Sequence, residues 1–334
     1  MFDTGRDVWL GAMFALVTGC GGEAKSERCP DSEPALTPLL SSDREPTILF
    51  REQFPANLVS DAQGVYWNVY GTLRYLAPGA SAAVALVEGQ PSITGVAVDE
   101  HAIYFCGATE GDSAALFKVR RDGSDLTMLA GGLSMGRLWE FRAPALDSER
   151  VYYPGANGYV ASVPKGGGTP AQTNIPLAAA TQLVVDASDF YWLEVADERG
   201  SLKKLSKFGG GAMVLASGFG VAHGLTLQGD SLLFSSGRGL FRVQKSGGCP
   251  EAVLWLAPDH HVGSFGIASD VIYVQHWFGF DPGTTTILRV SLSGDSAAEF
   301  TQTAVTAPGA GPGVAFHDGR VLWPTWDAVR GLEL

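Results

Sequence analysis

Proton-transfer chemistry needs an imidazole or a carboxylate within reach of a substrate, and this chain offers few groups for it. His223, His260, His261 and His276 lie in its second half, and Glu140 is the carboxylate that could work with them. Trp139, Arg142, Trp277, Phe280, Asp281 and Trp326 are the other conspicuous side chains of the same irregular segments. Aromatic and charged residues of this kind suit recognition, where they give contact area and a few directed polar bonds. A metal is not expected. His260 and His261 are adjacent, so in an extended segment they point to opposite sides, and no spacing of ligand-type residues assembles a set. No cofactor is expected either. The "GGG" runs at 166–168 and 209–211 lack the Lys-Ser/Thr of a phosphate loop, and "GFGVAHG" (218–224) has no βαβ setting.

The scaffold that must position these residues is a repeat. An Asp stands a few residues before a short apolar-aromatic run at Asp61/Val65-Tyr66-Trp67, Asp99/Ile103-Tyr104-Phe105, Asp147/Val151-Tyr152-Tyr153 and Asp186/Phe190-Tyr191-Trp192. Asp230/Leu232-Leu233-Phe234, Asp270/Ile272-Tyr273-Val274 and Asp318/Val321-Leu322-Trp323 continue it. The middle residues of these runs are 38, 48, 39, 42, 40 and 49 positions apart. A period near forty built from short strands is that of a propeller, one four-stranded blade per period. In each period an apolar strand precedes the Asp and the aromatic strand follows it. A third strand such as "LFRVQKSGG" and a fourth such as "AMVLASG" complete the unit. The Asp fits a turn, where its side chain bonds nearby backbone N–H groups. The Gly pairs fit hairpins that need positive φ.

The last period, "VLWPTWDAVRGLEL", has no fourth strand, whereas "TILFREQFPANLVSD" (47–61) aligns with "MVLASGFGVAHGLTLQGD" (213–230). The expectation is an all-β fold over 47–334, a seven-bladed propeller closed by Thr47–Arg51 as the outer strand of the final blade. Six blades is the alternative. "GDSL" (229–232) matches the name of an esterase family whose Ser is a nucleophile. Here it occupies the same turn as "DSERVYY", with no Asp-x-x-His block after it, and reads as a turn.

Composition agrees. The 334 residues are 46% apolar, enough for a large core, with 43 Gly and only 17% charged residues. A net charge of −12 argues against nucleic acid, whose phosphates require a basic footprint. Residues 21–46, rich in Ser, Glu, Pro and Asp, have the composition of a disordered tether.

Two resemblances add to this reading. "VWLGAMFALVTGC" (8–20) has signal-peptide length, and its "LVTGC" resembles the lipobox of bacterial lipoproteins. That resemblance implies that residues 1–20 are a signal peptide and that lipid on Cys20 anchors the chain to a membrane. Gly21 in place of Asp favours the outer membrane. Cys29, Cys106 and Cys249 then remain, an odd number compatible with one disulfide of open pairing. Residues 47–334, through "VYW…G…LFRV…GG…LASG", resemble the extracytoplasmic propellers grouped as NHL, YWTD and TolB-like repeats, although "VYWNV" and "FYWLE" depart from the strict Tyr-Trp-Thr-Asp. The resemblance implies first strands lining a central channel and one loop-rich face. The expected function is non-catalytic binding of a protein, peptide or glycan through that face. The alternative is a lyase or lactonase using His223, Glu140 and the His260/His261 loop at the channel mouth.

Overall fold

The computed structural model describes residues 34–39, 44–109, 113–134, 143–155, 157–176, 180–196, 199–278, 284–304 and 313–334. Its regular structure is all strand, in seven four-stranded antiparallel sheets. β1 (Thr47–Arg51) belongs to the last sheet. Blade one holds β2 (Pro55–Asp61), β3 (Gly64–Val69), β4 (Thr72–Leu76) and β5 (Val84–Val87). Blade two holds β6 (Ile93–Val98), β7 (Ala102–Ala108), β8 (Ser113–Arg120) and β9 (Thr127–Ser134). Blade three holds β10 (Ala145–Leu146), β11 (Arg150–Pro154), β12 (Tyr159–Pro164) and β13 (Ala171–Pro176). Blade four holds β14 (Ala180–Val185), β15 (Asp189–Ala196), β16 (Arg199–Ser206) and β17 (Met213–Phe219). Blade five holds β18 (Ala222–Gln228), β19 (Ser231–Ser236), β20 (Gly239–Gln244) and β21 (Glu251–Trp255). Blade six holds β22 (His260–Ala268), β23 (Val271–Phe278), β24 (Thr284–Ser291) and β25 (Ala297–Ala304). Blade seven holds β26 (Ala315–His317), β27 (Arg320–Thr325) and β28 (Ala328–Glu333), with β1 outermost.

The molecule is therefore a seven-bladed propeller closed across its termini. β1 runs antiparallel to β28, with Thr47 opposite Gly331, Ile48 opposite Arg330 and Arg51 opposite Ala328. Each second strand is covered on both faces by neighbouring blades, which is why it reads as an unbroken aromatic run. Val65, Tyr66, Trp67 and Trp323 are wholly buried, and Trp192 nearly so. Burying side chains of this size contributes roughly 1.5–3 kcal/mol each. The core is divided accordingly, each hydrophobic cluster straddling one blade boundary. One joins Tyr66 to Val96 and Phe105 across blades one and two. Another joins Val65 and Trp67 to Leu322 and Val329, sealing blade seven against blade one.

The Asp of the first four repeats, Asp61, Asp99, Asp147 and Asp186, does act as a turn residue: Asp147 Oδ1 accepts the N–H groups of Glu149 at 2.9 Å and Arg150 at 2.7 Å. Its second oxygen has a role that the sequence reading missed. Asp147 Oδ2 accepts from Lys207 Nζ of blade four at 2.6 Å and from Tyr152 Oη of its own blade at 2.7 Å. Asp186 is bound alike by Lys245 of blade five at 3.0 Å and Tyr191 at 3.2 Å. Lys165 of blade three meets Asp99 at 2.8 Å beside the Tyr104 ring, and Arg121 of blade two binds both Asp61 and Tyr66. Burial pushes the Asp147 carboxyl up, but Lys207, Tyr152 and the two backbone N–H groups outweigh it and hold the group at about 2. These clasps tie four successive interfaces on the face where inner strands end.

Part of the segment before β1 lies against the ring. Thr37 N–H donates to the Trp255 carbonyl at 2.7 Å, and Thr37 Oγ1 accepts the Trp255 N–H at 3.0 Å. The Arg44 guanidinium covers the Phe300 ring and donates to the Glu333 carbonyl.

Candidate functional site

At the face opposite the clasps, where inner strands begin, five of them carry a β-bulge against the second strand. The pairing skips residues between Ala56 and Val59, Ile93 and Gly95, Ala180 and Gln182, Ala222 and Gly224, and Val262 and Phe265. A bulge leaves residues unpaired and re-aims their side chains. Polar residues occupy these places: Asn57, Thr94, Thr181, His223 and Ser264. Four of them, Thr181 excepted, line one cavity of about 530 Å³ at the channel mouth. A second cavity of about 380 Å³ continues along the inner strands, and Asn57, His223 and Ser264 border both.

The collar is held by carboxamides. Asn57, at φ +54°, donates from Nδ2 to Asn68 Oδ1 at 2.8 Å and to the Thr94 carbonyl at 3.2 Å. Asn68 in turn donates to the Ile93 carbonyl at 3.0 Å. Above it stands an aromatic rim of Phe54, Tyr70 and Trp277. Phe54 and Tyr70 have φ of +57° and +51°, a region non-glycine residues rarely adopt and one that clusters at functional sites. Phe54 N–H bonds the Trp326 carbonyl at 2.8 Å, and its ring meets Trp326 at 3.6 Å and Tyr70 at 5.5 Å, both edge to face. Tyr70 is 57% exposed.

Two histidines meet Trp277, and two others pair with each other. His261 stacks on Trp277 at 5.8 Å, and His223 meets the same indole edge-on at 6.1 Å. His260 Nδ1 lies 2.6 Å from His276 Nε2, a bond in which one ring must be the neutral acceptor. Burial, then His260 and His261, lower the buried His276 to about 4, so it is neutral at physiological pH.

Of the residues singled out from sequence, His223 and Trp277 line the cavity, His261 stacks on Trp277, His260 and His276 pair on the other face of blade six, and Trp326 braces Phe54. Trp139, Glu140, Arg142, Phe280, Asp281 and Cys20 lie outside the described residues, as does Cys29. The catalytic geometry proposed around Glu140 therefore has no described carboxylate to complete it. Cys249 is disulfide-bonded, whereas Cys106 is a free, buried thiol that burial pushes up to about 12. The sequence reading missed Phe54, Asn57, Asn68, Tyr70 and Gln275. A signal existed for the collar, namely a polar residue interrupting an otherwise apolar inner strand beside a glycine, as in "ITGVAV", "AHGLTL" and "VGSFGI". Among the described residues the lining carries no Asp, Glu, Lys or Arg. Such a surface can bind an uncharged partner by area and directed hydrogen bonds.

No family model matches this chain, and no curated protein matches it by sequence. Solved structures match its fold. A YCF48 structure bound to a D1 peptide aligns with a TM-score of 0.63 at 10% identity, covering 88% of this chain and 97% of that one. A chain of a mitotic checkpoint complex gives a TM-score of 0.63 at 10% identity, covering 92% and 97%. A chain of a nidogen/laminin complex gives 0.53 at 14% identity, covering 71% and 91%. At these identities the likeness is one of fold.

Proposed function

We propose that this chain is a bacterial envelope lipoprotein whose propeller holds a protein partner at the channel mouth, without catalysis. One observation carries the binding half: a cavity of about 530 Å³ whose described lining has no Asp, Glu, Lys or Arg, whose rim is aromatic and whose floor is a collar of bulge residues, all on one face. Strained backbone at Phe54 and Tyr70 marks the same place. The fold neighbours support the reading, since one is a peptide-bound protein and two are chains of protein complexes. The envelope half rests on "LVTGC" and Cys20.

Photo-crosslinking in cells tests the binding half. Benzoylphenylalanine at Tyr70, on the rim, should give a discrete protein adduct. The same probe at Phe208, 85% exposed in the turn after β16, should give none. Equal labelling from both positions, or none from Tyr70, would count against the mouth as the partner site. Metabolic labelling with palmitate tests the anchor, which predicts incorporation in the wild type and none in Cys20→Ser.

A further inference from the structure

The cavity holds a polar group that the fold does not use. Gln275 is only 5% exposed, lines the cavity, and among the described residues its carboxamide makes no hydrogen bond within the protein. Ser92 Oγ, on the same wall, is buried and equally unpaired. A buried hydroxyl left unpaired costs about 1–3 kcal/mol, and the Gln275 carboxamide keeps its donor and acceptor open to a partner in the cavity. A carboxamide presents a donor and an acceptor side by side, the complement of a peptide group's C=O and N–H.

We propose that the mouth reads an uncharged peptide segment, Gln275 pairing with a main-chain amide while an apolar side chain enters between Tyr70 and Trp277. The inference rests on the reading of the mouth as a protein-binding site and names what that site recognises. Charge decides against an ionic ligand. The described lining holds no Asp, Glu, Lys or Arg, so a charged side chain would lose its hydration without a carboxylate, ammonium or guanidinium to compensate it. Ring geometry restricts a sugar, which stacks on an open aromatic face, because Tyr70 is the mostly exposed ring of the rim. One face of Trp277 carries His261, at an interplanar angle of 15°. Its Cζ3 edge packs so closely on Gly263 that a Cβ there would lie 2.6 Å away. Phe54 is hemmed edge to face by Trp326 and Tyr70. What remains is a slot, suited to a side chain.

Saturation-transfer NMR on the full chain tests this with defined probes: the capped tripeptides Ac-Gly-Leu-Gly-NH2, Ac-Gly-Trp-Gly-NH2, Ac-Gly-Glu-Gly-NH2 and Ac-Gly-Lys-Gly-NH2, and cellobiose. Transfer is expected to the Leu and Trp peptides, with at least tenfold weaker binding of the Glu and Lys peptides and of cellobiose. Gln275→Leu, which removes an unpaired group and should leave the melting temperature unchanged or raised, should weaken the neutral peptides about tenfold. Gln275→Glu, an acceptor without a donor, should do likewise. Cellobiose binding in preference to peptides would overturn the proposal. So would equal binding of charged and neutral peptides, or undiminished binding by both variants. If the Tyr70 probe still captures a protein while no neutral peptide binds, this inference fails and the partner-site reading stands. If neither occurs, both fall.

Discussion

From blade one to blade five, each boundary is tied by an Asp that receives the Lys or Arg of the next blade beside its own Tyr. From blade five through blade seven and back to blade one, no such triad forms among the described residues. Strand pairing places Leu233 and Leu322 at two of the Tyr positions, since Leu232 pairs with Val243 and Val321 with Leu332 as Val151 pairs with Val163. The cation position holds Leu292, Leu334 and Pro78 in blades six, seven and one. Other contacts serve there. Asp318 accepts the Gly79 N–H at 2.7 Å, and Arg242 donates to the Leu292 carbonyl at 3.1 Å. The cavity draws its aromatic rim and Gln275 from blades one and six, within this second sector. The repeat rule is relaxed at the boundaries on either side of blade six, which supplies Trp277 and Gln275 to the cavity.

The largest effect should come from opening the relaxed sector at its closure. A chain beginning at Glu52 lacks β1 and leaves β28 with an unpaired edge. Loss of its ladder and of the packing of Leu49 and Phe50 should cost roughly 3–5 kcal/mol, at about 1 kcal/mol per hydrogen bond plus buried area. Urea unfolding should show a lowered midpoint and a broadened transition. A peptide of residues 44–51 added in trans should recover much of the loss. Unchanged stability would mean that closure contributes nothing.

The next contrast sets equivalent residues of the two sectors side by side. Asp147→Ala removes two turn bonds and strands Lys207 and the Tyr152 hydroxyl, and should cost about 2–3 kcal/mol. Asp230→Ala, at the same repeat position in the exposed turn after β18, should cost no more than about 0.5 kcal/mol. Similar losses at both would show that the clasp adds nothing beyond the turn.

Acid should separate the sectors in the same direction. The Asp147 and Asp186 carboxyls sit at about 2, below their unfolded values. A depressed carboxylate contributes stability that is present above its unfolded pKa, near 4, and is lost as pH falls through the folded one. The urea midpoint should therefore decline between about pH 4 and pH 2, and Asp147→Asn/Asp186→Asn should flatten that decline. Parallel profiles for the variant and the wild type would remove the clasps from the acid response.

The ring, its blade count and its closure were legible because each rests on a pattern with a physical period. Tyr66, Tyr104, Tyr152 and Tyr191 recur at blade spacing, and a chain that ends one strand short needs a strand from elsewhere. The clasps were half legible. Asp147 could be read as a turn residue, but its second partner, Lys207, comes from the next blade 60 positions on, and no local pattern links them. The cavity was less legible still. Gln275 looks like any strand residue until bulges bend five inner strands at one level, and a bulge is a change of register that composition does not announce. His223 and Trp277 drew notice by residue type alone.

The smallest expected effect is the sharpest test of why the sectors differ. Leu292 stands at the cation position of blade six, partly buried against the core cluster that holds Leu233. Leu292→Lys supplies the missing cation, but Leu233 provides no phenol, so only the charge pair is restored. A partly exposed pair of this kind is worth about 0.5–1 kcal/mol, less whatever apolar contact the leucine stem gives up. The net should be a gain of no more than about 0.5 kcal/mol in the urea midpoint, largest at low salt and gone by about 1 M, where the Debye length is about 3 Å. The informative readout is the mouth, on the opposite face of the same blades. If the relaxed sector merely lacks a dispensable tie, Leu292→Lys leaves neutral-peptide binding untouched. If the sector must shift for a ligand to enter beside Trp277, the added tie slows association while dissociation stays the same. A change in association rate without a change in stability would show that the missing clasp is part of how the site works.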